Sequence, residues 1–139
     1  MNSQPIAFEV VLENAPYDKA IELVTAALKT EGFGILTRID VRATLKEKID
    51  ADFRPYAILG ACNPPLALRA LSHDAQVGLM LPCNVTVEAA PAGGAIVRIA
   101  DPDVFLQVGE FRHDKELQAL AREVRERLLR VVGTLNTGK

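Results

Sequence analysis

The sequence predicts an α+β fold, an antiparallel sheet of about five strands with helices packed on it. Three observations carry this. Segments with a two-residue apolar period recur along the chain, and segments with a three- to four-residue period separate them. A turn, Pro91-Ala92-Gly93-Gly94, also joins two of the strand-like segments as a hairpin.

Ile6, Phe8, Val10 and Leu12 alternate with Ala7, Glu9, Val11 and Glu13, which predicts a half-buried first strand ended by Asn14 and Pro16. Tyr17, Ala20, Ile21, Val24, Ala27 and Leu28 then share one side of a helix that stops near Gly32. Ile35, Thr37, Ile39 and Val41 alternate with Leu36, Arg38, Asp40 and Arg42, a second strand with a charged outer face. Thr44-Leu45-Lys46-Glu47 has capping-box spacing and predicts one or two helical turns starting there.

Pro55 to Gly60 reads as a short buried third strand, after which Asn63 caps a helix that opens on Pro64 and carries Leu66, Ala70 and Leu71. Alternation returns from Val77, with Leu79, Leu81, Cys83, Val85 and Val87 on one face. Ala95 to Ala100 is the return strand of the hairpin. Asp101-Pro102 repeats the cap-then-proline start for a short helix closed by Gly109. Asp114 begins the last helix, whose Leu117, Leu120, Ala121, Val124, Leu128, Val131, Val132 and Leu135 form an apolar stripe. Its other face pairs Glu123 with Arg127 and Glu126 with Arg130.

A chain of 139 residues fits one domain, 1–139, able to bury a core without disulfides or a structural metal. Apolar residues make up 49% and charged residues 24%, a globular balance. Lys and Arg number 16 against 18 Asp and Glu, and no basic cluster is present to follow a phosphate backbone, so no nucleic acid partner is expected. Met1 to Pro5 lacks the features of a secretory leader, and no apolar run reaches the roughly 20 residues that cross a bilayer. A cytoplasmic protein without membrane contact, its thiols reduced, is the expectation.

Chemistry concentrates at two Cys-Asn dipeptides, Cys62-Asn63 followed by Pro64 and Cys83-Asn84 preceded by Pro82. The two thiols are too far apart in sequence for a Cys-x-x-Cys redox motif and lack the paired knuckles of a zinc site. They matter only if the fold brings them to one pocket, with the start of the Pro64 helix aimed at it to lower a thiol pKa or attract an anion. Packing as small hydrophobes is their alternative role.

His73 and His113, each beside an aspartate, lack ligand spacing and read as solvent-facing residues near helix ends. Ser72-His73-Asp74 cannot converge on one reacting atom as a hydrolase triad must. Asp50 and Asp52 read as solvated, Phe105 and Phe111 as core anchors. No complete catalytic or cofactor signature is present, so neither an enzyme, a cofactor nor a metal site is expected.

Residues Tyr56-Ala57-Ile58-Leu59-Gly60-Ala61-Cys62-Asn63-Pro64, Gly78-Leu79-Met80-Leu81-Pro82-Cys83-Asn84-Val85 and Asp101-Pro102 resemble a bacterial and archaeal family, domain of unknown function 302. The resemblance covers nearly the whole chain. It implies a compact α+β domain with a TATA-binding-protein-like arrangement, found as a homodimer, and it places Cys62, Asn63, Pro64, Pro82, Cys83 and Asn84 together. It implies no activity.

Three functions remain open. The first is a binding module that holds an apolar or anionic small ligand near Cys62 and Cys83. The second is metal or persulfide carriage, or redox chemistry, by those thiols. The third is a purely structural homo-oligomeric module.

Overall fold

The computed structural model describes residues 5–137; of the leaderless start read at Met1 to Pro5, all but Pro5 lies outside them. Five strands form one antiparallel sheet: β1 (Ala7–Leu12), β2 (Gly34–Asp40), β3 (Tyr56–Cys62), β4 (Cys83–Ala89) and β5 (Ala95–Ala100). Their order across the sheet is β1-β5-β4-β3-β2. The hairpin therefore sits inside the sheet, and β1 and β2 are its edges.

Five helices complete the fold, α1 (Tyr17–Thr30), α2 (Val41–Ile49), α3 (Pro64–His73), α4 (Pro102–Phe105) and α5 (Lys115–Thr137), with 3-10 turns over Ala75–Met80 and Gly109–His113. Ala20, Ile21, Val24, Ala27 and Leu28 of α1 pack with Leu128, Val131 and Leu135 of α5 against Val10, Leu59, Val85, Val87, Val97 and Ile99 of the strands. This is the main core, and it covers one face of the sheet. On the other face Arg98 joins Glu9 at 2.9 Å and Glu88 at 3.4 Å, and Arg54 reaches Glu88 at 3.4 Å. That neutralised row lets Glu88 be buried.

Leu66, Val77, Leu117 and Leu120 form a second, smaller cluster where α3, the Ala75–Met80 turn and α5 meet. Val124 of α5 packs against both clusters and joins them.

The expected elements are present, with boundaries that shift for local reasons. β2 ends at Asp40 because the Asp40 carboxylate accepts from the Ala43 amide and starts α2 there, so Val41 and Arg42 are helical and Thr44 lies inside the helix. The face of β2 expected to be buried is largely open, with Thr37 and Ile39 exposed, because β2 is an edge strand. The strand expected from Val77 begins only at Cys83. Asp74 caps a 3-10 turn over the preceding residues, and Pro82 has no N–H to give a ladder.

Ile6 and Leu71 are exposed, contrary to their periodic placement, and α4 stops at Phe105 before reaching Gly109. Glu123 and Arg127 do pair, at 3.7 Å, but Arg130 reaches across to Glu31 of the α1 end at 2.8 Å instead of to Glu126.

Candidate functional site

The end of α1 sets the first wall. Gly32 adopts φ +86° and its N–H bonds to the Lys29 carbonyl, while the Phe33 N–H bonds back to the Leu28 carbonyl. This is a Schellman ending, which glycine allows because it alone enters this φ region without strain. Its effect is to swing Phe33 into the interior, where only 2% of it remains exposed.

Asn63 ties that ending to the next elements. Its Oδ1 accepts from the Leu66 N–H at 3.2 Å, capping α3, while its Nδ2 donates to the Glu31 carbonyl at 3.4 Å. The Glu31 carbonyl also accepts from Arg127 Nη1 of α5 at 3.2 Å. A Cβ on Gly32 would come 2.8 Å from Asn63 Nδ2, so glycine is required there for space as well as for φ. Asn63→Ala is expected to cost about 1–2 kcal/mol in urea unfolding. Asn63→Ser, which keeps an oxygen acceptor for the Leu66 N–H without adding charge, should cost less.

Beyond this junction lies a hollow of about 120 Å³, between the end of β3, the start of β4, α3, α4 and α5. Phe33 and Ala61 border it from the main core, and Leu66, Val77, Leu117 and Leu120 from the second cluster. It therefore occupies the gap between the two clusters. Asn84 and Phe105, both exposed, stand among its lining residues and mark its open side. Among the described residues, no charged side chain lines it.

Both cysteines line this hollow. In the β3–β4 ladder Cys83 stands opposite Ala61, so Cys62 is one step further along, the last residue of β3 before the Asn63 cap. Burial pushes the Cys83 thiol up to about 11, with the neighbouring Cys62 adding to the effect. At neutral pH about one Cys83 in ten thousand is then a thiolate, which leaves it a neutral, weakly nucleophilic group.

Five of the six residues expected at the site, Cys62, Asn63, Pro82, Cys83 and Asn84, line the hollow; Pro64 is exposed and does not. Pro82 lies over Gly60, where a Cβ would meet Pro82 Cγ at 2.6 Å and also Thr37 Oγ1, so the bare glycine is what seats the proline. The start of α3 offers no anion donor. Pro64 and Pro65 have no N–H, the Leu66 N–H is taken by Asn63 Oδ1, and the Ala67 N–H by the Asn63 carbonyl.

Sequence reading missed Met80, Phe33 and the α5 wall of Leu117, Leu120, Ala121 and Val124. Only Phe33 had a local signal, as the apolar residue after the Gly32 helix stop. Phe105, expected as a core anchor, is 40% exposed, while Phe111 is partly buried against the second cluster.

Neither histidine lines the hollow, and among the described residues no group of three His, Cys, Asp or Glu is placed to hold a metal. His73 is a clamp elsewhere: Nε2 lies 2.7 Å from Asp114 Oδ2 and Nδ1 2.8 Å from Glu116 Oε2, joining the end of α3 to the start of α5. The hydrogen bond to Asp114 raises the His73 pKa, and the same bond lowers that of Asp114.

A raised histidine stabilises fully below its unfolded value of about 6.5 and loses this as pH rises through its folded value; a lowered aspartate stabilises fully above its unfolded value of about 3.9. The clamp should therefore be strongest between those limits. Urea midpoints are expected to fall from pH 6 to pH 8.5 in the wild type, and His73→Gln should flatten that fall.

The model of the family described as "Domain of unknown function DUF302" matches residues 8–135. The crystal structure of an uncharacterized conserved protein DUF302 from Bacillus stearothermophilus is similar at 28% identity, with a TM-score of 0.82, covering 95% of this chain and 99% of the other. No curated protein matches the sequence.

Proposed function

The chain belongs to the domain of unknown function DUF302 family, and from that premise and its own geometry we propose a small, non-catalytic binding domain, one domain over 1–139, that holds an apolar small molecule beside Cys62 and Cys83. The hollow carries this reading: about 120 Å³, bordered by the two Cys-Asn blocks, with no charged side chain among the described residues of its lining. An uncharged apolar recess favours apolar guests because nothing in it compensates the desolvation of an ion. The anionic ligand also expected from the sequence finds no free backbone amide at the start of α3 and, among the described residues, no cation in the lining.

Xenon tests the reading, since apolar cavities of about 150 Å³ take up xenon or benzene. Crystals pressurised with xenon should show a peak between Cys83 and Leu117; density only elsewhere removes the proposal.

Thiol chemistry is the second reading, favoured by the placement of both sulfurs on one hollow. It requires a thiolate, and burial of Cys83 opposes one. A thiol reagent titrated between pH 5 and 9 on the native, reduced protein, as a cytoplasmic setting would keep it, decides this: two inert thiols end it.

The homodimer implied by the family resemblance completes the proposal. β2 is a sheet edge with Leu36 and Ile39 exposed, and two copies paired antiparallel about Ile39 would set Arg38 of each opposite Asp40 of the other. Sedimentation of the wild type and of Ile39→Lys checks it, and a monomeric wild type removes it. Neither nucleic acid nor a membrane is proposed as partner. Among the described residues no helix is long and apolar enough to cross a membrane.

A further inference from the structure

We propose that the hollow selects a neutral single-ring aromatic molecule over a saturated one of equal size; this rests on the binding reading above and specifies its ligand. Three features of the lining converge on that class.

The first is size. A recess of about 120 Å³ is close to the cavities of about 150 Å³ that accept benzene, which matches its enclosed part to one six-membered ring. The second is charge. With no ionic side chain among the described residues of the lining and no free N–H at the start of α3, a carboxylate or phosphate enclosed in the hollow would be desolvated with no charge to pair it.

The third is sulfur. Among the described residues the chain has three sulfur atoms, those of Cys62, Met80 and Cys83, and all three residues line this hollow. They come from three separate elements: the end of β3, the 3-10 turn and the start of β4. Sulfur lies favourably against the edge of an aromatic ring, each contact being worth roughly two- to tenfold in affinity, and gains nothing comparable from cyclohexane. Burial keeps Cys83 a thiol, so its S–H remains available as a weak donor to a ring face. Phe33 at the inner wall and Phe105 at the open side add aromatic surfaces that meet a ring edge to face.

Titration of the full chain with benzene, cyclohexane and benzoate, followed by NMR, tests this. Benzene is expected to bind about tenfold or more tightly than cyclohexane, and benzoate not at all. Met80→Leu conserves volume and should lower benzene affinity roughly two- to tenfold while leaving cyclohexane unchanged. Equal affinities for the two hydrocarbons overturn the aromatic preference and leave the binding domain standing. Absence of binding by either hydrocarbon overturns both. Benzoate binding as tight as benzene overturns the requirement for neutrality, and with it the ligand class proposed here.

Discussion

Phe33→Ala is expected to lower the unfolding free energy by about 3–5 kcal/mol, a large share of the 5–15 kcal/mol that holds a typical domain together. Phe33 is among the largest fully buried side chains and belongs to the main core. It also closes the Schellman ending of α1 and walls the hollow. Its removal joins a new void to an existing one. The neighbours cannot collapse inward, because Asn63 and Arg127 fix the Glu31 carbonyl beside it. Urea unfolding measures the loss, with Phe33→Leu as the control, expected at under about 1.5 kcal/mol. A loss below about 1 kcal/mol for the alanine variant would show that Phe33 is not the packed wall described here.

Much of this fold could be read from the chain wherever one element settles its own pattern. The α1 stripe from Ala20 to Leu28 is buried as its spacing requires, and Asn63 caps α3 as an asparagine before a proline should. Failures arose where two local signals competed. Thr44 offered a capping box, but Asp40, four residues earlier, already satisfied the helix start. The alternation from Val77 to Leu81 looked like strand, yet Asp74 supplied a cap and Pro82 withheld an N–H, so a 3-10 turn formed instead.

The site was legible only in part. The Cys-Asn blocks marked one side of the hollow, while its far wall comes from α5, which carries no motif and is placed by packing. The choice the chain left open, between an apolar and an anionic ligand, turns on the same helix start. Pro64, which marks the start of α3, removes one amide an anion would use, and Pro65 removes another. The signal that located the site also narrowed what it can bind.

Ala121→Leu should separate the hollow from the rest of the core. Ala121 is 1% exposed, lines the hollow from α5, and has no hydrogen-bonding or charged role. Its replacement sends three more carbon atoms into the vacant space. Filling a cavity in this way commonly adds about 0.5–2 kcal/mol, whereas the same enlargement in a close-packed core costs about 1–3 kcal/mol. The sign of the change therefore reports whether the space is vacant. The expected outcome is a higher urea midpoint together with loss of xenon and benzene uptake, because guest and side chain compete for one volume. A destabilised variant that still takes up benzene would place the guest elsewhere, and the Cys62–Cys83 hollow would then be a feature of packing alone.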